Sequence, residues 1–474
     1  MLFNSFLFLI FFLLVYCLYH AVQIKYKKYI LYISSIIFYG SWDYLNFSSI
    51  IPRFLIHFLF VITVNYLFLL GIQSSQGFKR KIFLVIIILL NILNLGFFKY
   101  FYFFTDILGN ILAKPNLKTE MIEKIPIILP IAISFYTFQI IAFIVDEYKG
   151  VYSEKTSYLD FSIFILFFPQ QLAGPILRAT DFLPQLNNPQ KIKNEQIIDG
   201  ISLVGFGLIK KVILADSIAF LIDPVYANPT QYSYKALLCA FVGFIFQLWG
   251  DFSGYSDIAR GCGKLLGFEL PKNFIGPLFS NGFKDMWVRW HITLSSFLRD
   301  YIYFPLGGNK KGKLRTEING IITMLLGGLW HGANWNFILW GFLVGISITI
   351  ERNILDKFYF WKESRSKLAM FVKILSVNIF WFFLALIFRI QNLSDIEIFL
   401  KGILSFKEGD KILYENFIYL TFLFYLLHYI EFDPKIIQSK ISNPIRYIFI
   451  CSIILLFVIS SFSNRQVQFY YFQF

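Results

Sequence analysis

Leu325-Leu326-Gly327-Gly328-Leu329-Trp330-His331-Gly332-Ala333-Asn334-Trp335 sets a histidine between two apolar runs, 318–330 and 335–350. The runs read as a helical hairpin inside a membrane, where helix is the expected state because no water is available for backbone groups. An ionisable side chain at membrane depth is costly, which makes His331 a functional candidate. Imidazole is also the side chain best suited to move a proton near neutral pH. A histidine hydrogen-bonded to a neighbouring helix would fit the same position. Gly327, Gly328 and Gly332 permit close backbone approach under either reading.

The rest of the chain extends this pattern. Of 474 residues, 57% are hydrophobic and 20% aromatic, and the mean hydropathy is +0.62. Apolar runs fall at 2–19, 29–42, 54–72, 82–104, 125–145, 161–175, 197–222, 235–250, 318–350 (a pair), 369–391, 412–430 and 447–463. So many runs predict an all-α polytopic membrane protein with one integral membrane domain over residues 1–474. Runs 29–42 and 161–175 are short for a crossing. Within the second, Phe168-Pro169-Gln170-Gln171-Leu172-Ala173-Gly174-Pro175 predicts a broken or re-entrant segment. The stretch 251–304 is amphipathic and reads as interfacial.

The formal net charge is +14. The basic residues sit in short loops, as positive-inside topology requires, and no basic-aromatic module for nucleic acid accompanies them. Cys17, Cys239, Cys262 and Cys451 are scattered without CxxC spacing, so neither a disulfide framework nor a zinc site is expected. The first run lacks the features of a cleaved secretory signal. Lys25, Lys27 and Lys28 follow it, placing the first loop in the cytoplasm and the N-terminus outside. Loops 305–317, 352–368 and 431–446 are also basic and cytoplasmic by the same rule, which leaves the tail 464–474 external. A helix entering near Ile318 and rising about 1.5 Å per residue puts His331 roughly 20 Å from the cytoplasmic edge.

Other polar groups divide between chemistry and architecture. Trp287-Val288-Arg289-Trp290-His291 leads on to Ser295 and Arg299-Asp300-Tyr301. A continuous helix would put Trp287, His291, Ser295 and Arg299 on one face. That face is either an interfacial anchor or a polar wall of a site shared with His331. His20, His57 and His428 show no polar cluster around them and read as structural. Gly307-Gly308-Asn309-Lys310-Lys311-Gly312-Lys313 resembles a phosphate cradle in composition but does not match GxxxxGK[ST]. Asp251 and Asp257, in Gly250-Asp251-Phe252-Ser253-Gly254-Tyr255-Ser256-Asp257, read as the polar end of a helix; no ligand set for a metal accompanies them. The last residues, Phe469-Tyr470-Tyr471-Phe472-Gln473-Phe474, are nearly all aromatic where a free tail is normally polar. They suit a membrane-interface anchor or a segment folded back into an external cavity.

Taken together, these segments resemble the membrane-bound O-acyltransferase (MBOAT) family, in its bacterial alginate and peptidoglycan O-acetylation branch, related to the teichoic-acid D-alanylation proteins. The motifs that carry the resemblance begin with Ile133-Ser134-Phe135-Tyr136-Thr137-Phe138-Gln139, the Phe168 to Pro175 segment and Asp251 to Asp257. The most specific are Arg289-Trp290-His291 with Arg299-Asp300-Tyr301, Pro305-Leu306-Gly307-Gly308-Asn309, and Gly327-Gly328-Leu329-Trp330-His331-Gly332. The resemblance implies a helical bundle of about 11–13 membrane segments, with re-entrant or interfacial helices and a central tunnel. Peripheral helices would occupy 1–110, the catalytic core 111–350, C-terminal helices 351–463 and an external aromatic tail 464–474.

The resemblance further implies that His331 and His291 match the family's two histidines and that Tyr471 matches an acyl-carrying tyrosine. Arg289, Trp290, Ser295, Arg299, Asn309, Lys310, Lys311, Trp330 and Asn334 are the expected substrate and cofactor contacts. No bound cofactor or metal is expected. Acetyl-CoA is the expected acyl donor from the cytoplasm, and the expected partner is a periplasmic or extracellular SGNH-type O-acetyltransferase that modifies an envelope polysaccharide. The site would lie in a bacterial cytoplasmic (inner) membrane. D-alanyl or other acyl transfer, a transporter of glycan precursors with His331 in a proton relay, and a scaffold in which neither histidine matters are the alternatives.

The charge pattern makes the orientation testable. A cysteine at Lys310 should react with a membrane-impermeant maleimide in inverted membrane vesicles and not in intact cells. Labelling in intact cells would reverse the assigned topology.

Overall fold

A computed structural model of the chain describes residues 1, 3, 5–47, 52–152, 154–172, 174–362, 364 and 366–432. Among them the structure is helical, with one isolated bridge between Tyr232 and Asp410 and no strand. Tyr471 and the run 447–463 lie outside the described residues, as does Ala173. Among the described residues five helical stretches are long and apolar enough to cross a membrane: Arg53–Ser74, Gly77–Ile111, Tyr234–Leu265, Trp335–Lys357 and Lys367–Arg389. Phe6–Ala21 is a shorter apolar helix. The chain divides into two compact units, Met1–Val204 with Ser256–Pro271, and Gly205–Tyr255 with Lys272–Phe474.

In the first unit the helices include Phe6–Ala21, Ile24–Phe47, Arg53–Ser74, Ile133–Lys149 and Tyr158–Leu166. Helix Ile24–Phe47 outruns the apolar stretch 29–42 because Lys28 is held at its polar end, 2.6 Å from Asp160 and 2.7 Å from Asn187. Asn65 and Asn91, both buried, exchange amide hydrogen bonds of 3.2 and 2.7 Å. Paired in this way, neither amide is left unsatisfied in an apolar interior. The helix Tyr158–Leu166 does stop at Leu166, and residues 167–172 and 174–178 are outside regular helix, as Pro169, Gly174 and Pro175 predict. Side chains take over its backbone groups. Ser35 accepts from Phe168 N–H at 3.2 Å, and Gln139 donates to the Phe164 carbonyl at 2.6 Å.

The second unit corrects one expectation. The acids at 251 and 257 do not end a helix; Tyr234–Leu265 runs straight through them. Asp251 is neutralised by Lys211 at 2.6 Å, so the helix has no need to reach water there. Its Gly250 and Gly254 admit a neighbouring backbone: a Cβ would sit 2.9 Å from the Lys210 carbonyl oxygen and 2.7 Å from that of Gly207. The hairpin is present as Lys313–His331 and Trp335–Asn353, joined by residues 332–334. It is a tight helix contact. A Cβ on Gly328 would strike the Phe337 carbonyl oxygen and lie 3.1 Å from Gly341 Cα, and one on Gly345 would lie 2.9 Å from Ile321 Cα.

This packing predicts opposite outcomes at two glycines of one helix. Gly328→Ala should lower the thermal midpoint in detergent, at a cost of about 1–3 kcal/mol from overpacking. Gly320→Ala, with open space around it, should hold or raise the midpoint, since alanine gains up to about 1 kcal/mol in a helix. Equal midpoints for the two variants would argue against the close hairpin.

Candidate active site

His331 is the last residue of its helix and is buried. The chain turns at once through Gly332, where a Cβ would strike the Phe337 ring. Asn334 caps the next helix, its Oδ1 accepting from Trp335 N–H at 2.6 Å. The imidazole is thereby held among aromatic rings, with centroids 4.9 Å from Trp330, 5.2 Å from Trp340 and 5.0 Å from Phe388. It opens on a narrow cavity of about 10 Å³, the room of one water. Ile245, Leu248, Trp290, Trp381 and Ala385 complete the walls. Asn336 steadies one side by donating to the carbonyls of Ile387 (3.1 Å) and Phe388 (3.3 Å), which end helix Lys367–Arg389 and have no intrahelical partner.

His291 is brought to the same place by a different device. The expected continuous face through Trp287, His291, Ser295 and Arg299 does not form. Helix Phe283–Arg289 ends, and His291 stands in the left-handed region at φ 44° before helix Ile292–Leu298 begins. A non-glycine residue there costs on the order of 1–3 kcal/mol and persists only where its surroundings impose it. The side chain is fully buried, edge-on to Phe252 at 4.6 Å and 5.7 Å from the Trp330 ring. Trp330 therefore touches both histidines. Among the described residues neither His291 ring nitrogen finds a hydrogen-bond partner. Burial pushes its pKa down to about 3, so the imidazole is neutral at working pH.

The other expected residues separate. Trp290 is buried and lines the His331 cavity, perpendicular to Phe274 at 5.2 Å. Ser295 turns back on the chain, its hydroxyl within hydrogen-bond reach of the carbonyls of Trp287, Trp290 and His291 at 3.0 to 3.2 Å and able to donate to one at a time. Arg289 pairs with Asp285 at 2.8 Å, and exposed Arg299 pairs with Asp300 at 2.7 Å. Asn309, Lys310 and Lys311 lie on an exposed loop. Asn319 pins that loop, donating to the Gly308 carbonyl at 3.0 Å. Among the described residues no three His, Cys, Asp or Glu side chains converge to hold a metal.

Sequence reasoning missed one cluster. His428, read as having no polar neighbours, is buried one turn from Glu431, which binds Lys210 at 2.7 Å. The available signal was Lys210-Lys211 inside the apolar run 197–222, since cations in such a run demand partners.

Residues 151–394 match the family model described as MBOAT, membrane-bound O-acyltransferase family. The chain is 32% identical to a peptidoglycan O-acetyltransferase of Helicobacter pylori, over 81% of this chain and 75% of that protein. It is 37% identical to a probable alginate O-acetylase AlgI of Pseudomonas syringae, over 83% of this chain and 73% of that protein. A teichoic acid D-alanyltransferase of Streptococcus thermophilus is 30% identical over 51% of this chain and 61% of its own length.

The Asn336 contacts predict a local weakness. Asn336→Leu keeps the branched shape and strips two buried carbonyls of their donor, which should cost about 1–3 kcal/mol. A thermal midpoint equal to that of the unaltered protein would refute the bracing role.

Proposed function

We propose that this chain, which belongs to the membrane-bound O-acyltransferase family, takes an acetyl group from cytoplasmic acetyl-CoA and delivers it across the membrane for O-acetylation of an envelope polysaccharide. Acyl transfer is the activity of the family, and the named relatives modify peptidoglycan, alginate or teichoic acid. The observation that carries the site assignment is the pair of buried histidines sharing Trp330, with His331 opening on a narrow, aromatic-lined cavity.

In this reading a tyrosine hydroxyl, that of Tyr471, attacks the thioester carbonyl carbon while His331 takes its proton. A new C–O bond forms, the C–S bond breaks, and the CoA thiolate leaves with a proton returned by His331. As the last residue of its helix, His331 stands where the chain turns and its ring faces the cavity. Neutral His291 orients the thioester or stabilises the oxygen charge that develops in the tetrahedral intermediate. The acylated tyrosine then passes its group to a hydroxyl on an SGNH-type partner outside the cytoplasmic membrane, which acetylates the glycan. The exposed lysines 310 and 311 serve the CoA phosphates. No metal or redox group takes part in this scheme.

His331→Ala should lower turnover of labelled acetyl-CoA by about 10²–10⁴-fold, the usual contribution of a general base. Expression and membrane insertion should be unaffected. Tyr471→Phe keeps the aromatic ring and removes the hydroxyl; with Tyr470→Phe it should abolish labelling of the protein by acetyl groups. Normal turnover in the first variant, or normal labelling in the double variant, would overturn the corresponding role.

A further inference from the structure

Residues 273–280 are largely buried yet contain only one turn of regular structure, the 3-10 helix Pro277–Phe279. A buried backbone outside helix or sheet needs other partners. Here they are side chains. Gly276 N–H donates to Glu431 Oε2 at 3.1 Å, Leu278 N–H to His428 Nε2 at 2.8 Å, and the Leu278 carbonyl accepts from Asn378 at 2.9 Å. The same stretch bonds to both flanks of His291. Ile275 N–H reaches the Arg289 carbonyl at 3.1 Å, and Ile292 N–H the Asn273 carbonyl at 2.9 Å. Asn273 Oδ1 also accepts from Thr293 Oγ1 at 2.7 Å. The peptide that carries His291 thus hangs on residues 273–275, and the next residue hangs on Glu431.

Glu431 is built for this. Besides Gly276 it accepts from Lys210 Nζ at 2.7 Å, Ser253 Oγ at 2.6 Å and Trp249 Nε1 at 3.2 Å. Four donors fill the acceptor sites of one carboxylate, and Lys210 balances its charge. Gly276 has φ 50°, and a Cβ there would lie 2.7 Å from Phe432 Cβ, so the backbone passes tightly over the end of the glutamate's helix. Farther along, Glu351 accepts from Lys284 N–H at 2.7 Å at the start of the helix that leads to His291.

We propose that Glu431 is a positioning residue for acyl transfer: through Gly276 and residues 273–275 it imposes the left-handed backbone at His291 and so aims that imidazole. This rests on reading His331 and His291 as the working pair. Removing the charge alone would strand Lys210, so the test uses paired substitutions in the full chain, purified in detergent, with labelled acetyl-CoA. Lys210→Met with Glu431→Gln keeps an amide oxygen for Gly276 N–H. Lys210→Met with Glu431→Leu keeps the bulk and removes the acceptor. The Gln pair should retain kcat within about three-fold, while the Leu pair falls about ten-fold or more at little changed KM, as expected of a misaimed group. Thermal melts and gel filtration report the folded fraction by which kcat is normalised. Equal kcat in the two pairs, whether both high or both low, overturns the positioning role. Full activity in both His331→Ala and His291→Ala overturns the reading of the site instead.

Discussion

The demand that every buried backbone N–H and C=O find a partner governs this molecule most directly where the chain leaves the helix. Inside a helix the demand is met automatically; at 273–280 it is met by Glu431, His428 and Asn378. At Phe168 Ser35 takes part in the same way. In the hairpin turn Asn334 caps the next helix, and Asn336 takes carbonyls at the end of another. Polar side chains in an apolar interior are costly unless paired. Here they are placed where the backbone would otherwise be left open.

Buried charge follows the same logic. Lys210 and Lys211 are consecutive and buried, and each has an acid within 2.7 Å. Asp251 shares Lys211, which lets helix Tyr234–Leu265 carry an acid through its interior. Breaking such a pair on one side typically costs about 3–5 kcal/mol. Of these charges Glu431 reaches the segment before His291, through Gly276 N–H, and none lines the cavity beside His331, whose other walls are aromatic and aliphatic. An apolar wall strengthens each electrostatic contact made inside it.

Much of this was readable in the residues. The apolar runs located the long helices, the glycines around His331 announced a close hairpin, and Pro169, Gly174 and Pro175 marked the break after Leu166. His331 stood out because a histidine between such runs needs a reason. The face from Trp287 to Arg299 was misread because periodicity assumes an unbroken helix, and His291 leaves it under bonds from Asn273, distant in the chain's local pattern. His428 was misread because the N–H it accepts from, that of Leu278, lies 150 residues away, and because the lysine that pairs with nearby Glu431 comes from a segment even more remote in the chain.

The sequence alone determined that the chain is a bundle of membrane helices, where one helix breaks, and which histidine falls between two apolar runs. These follow from hydrophobicity and from proline and glycine geometry, which act within a few residues of themselves. Only the tertiary structure decided that His291 meets the Trp330 ring beside His331, and that Glu431 sits behind the loop that carries it. Such decisions depend on hydrogen bonds and ion pairs between remote segments, and a side chain's partner across the fold is not written in its neighbours along the chain.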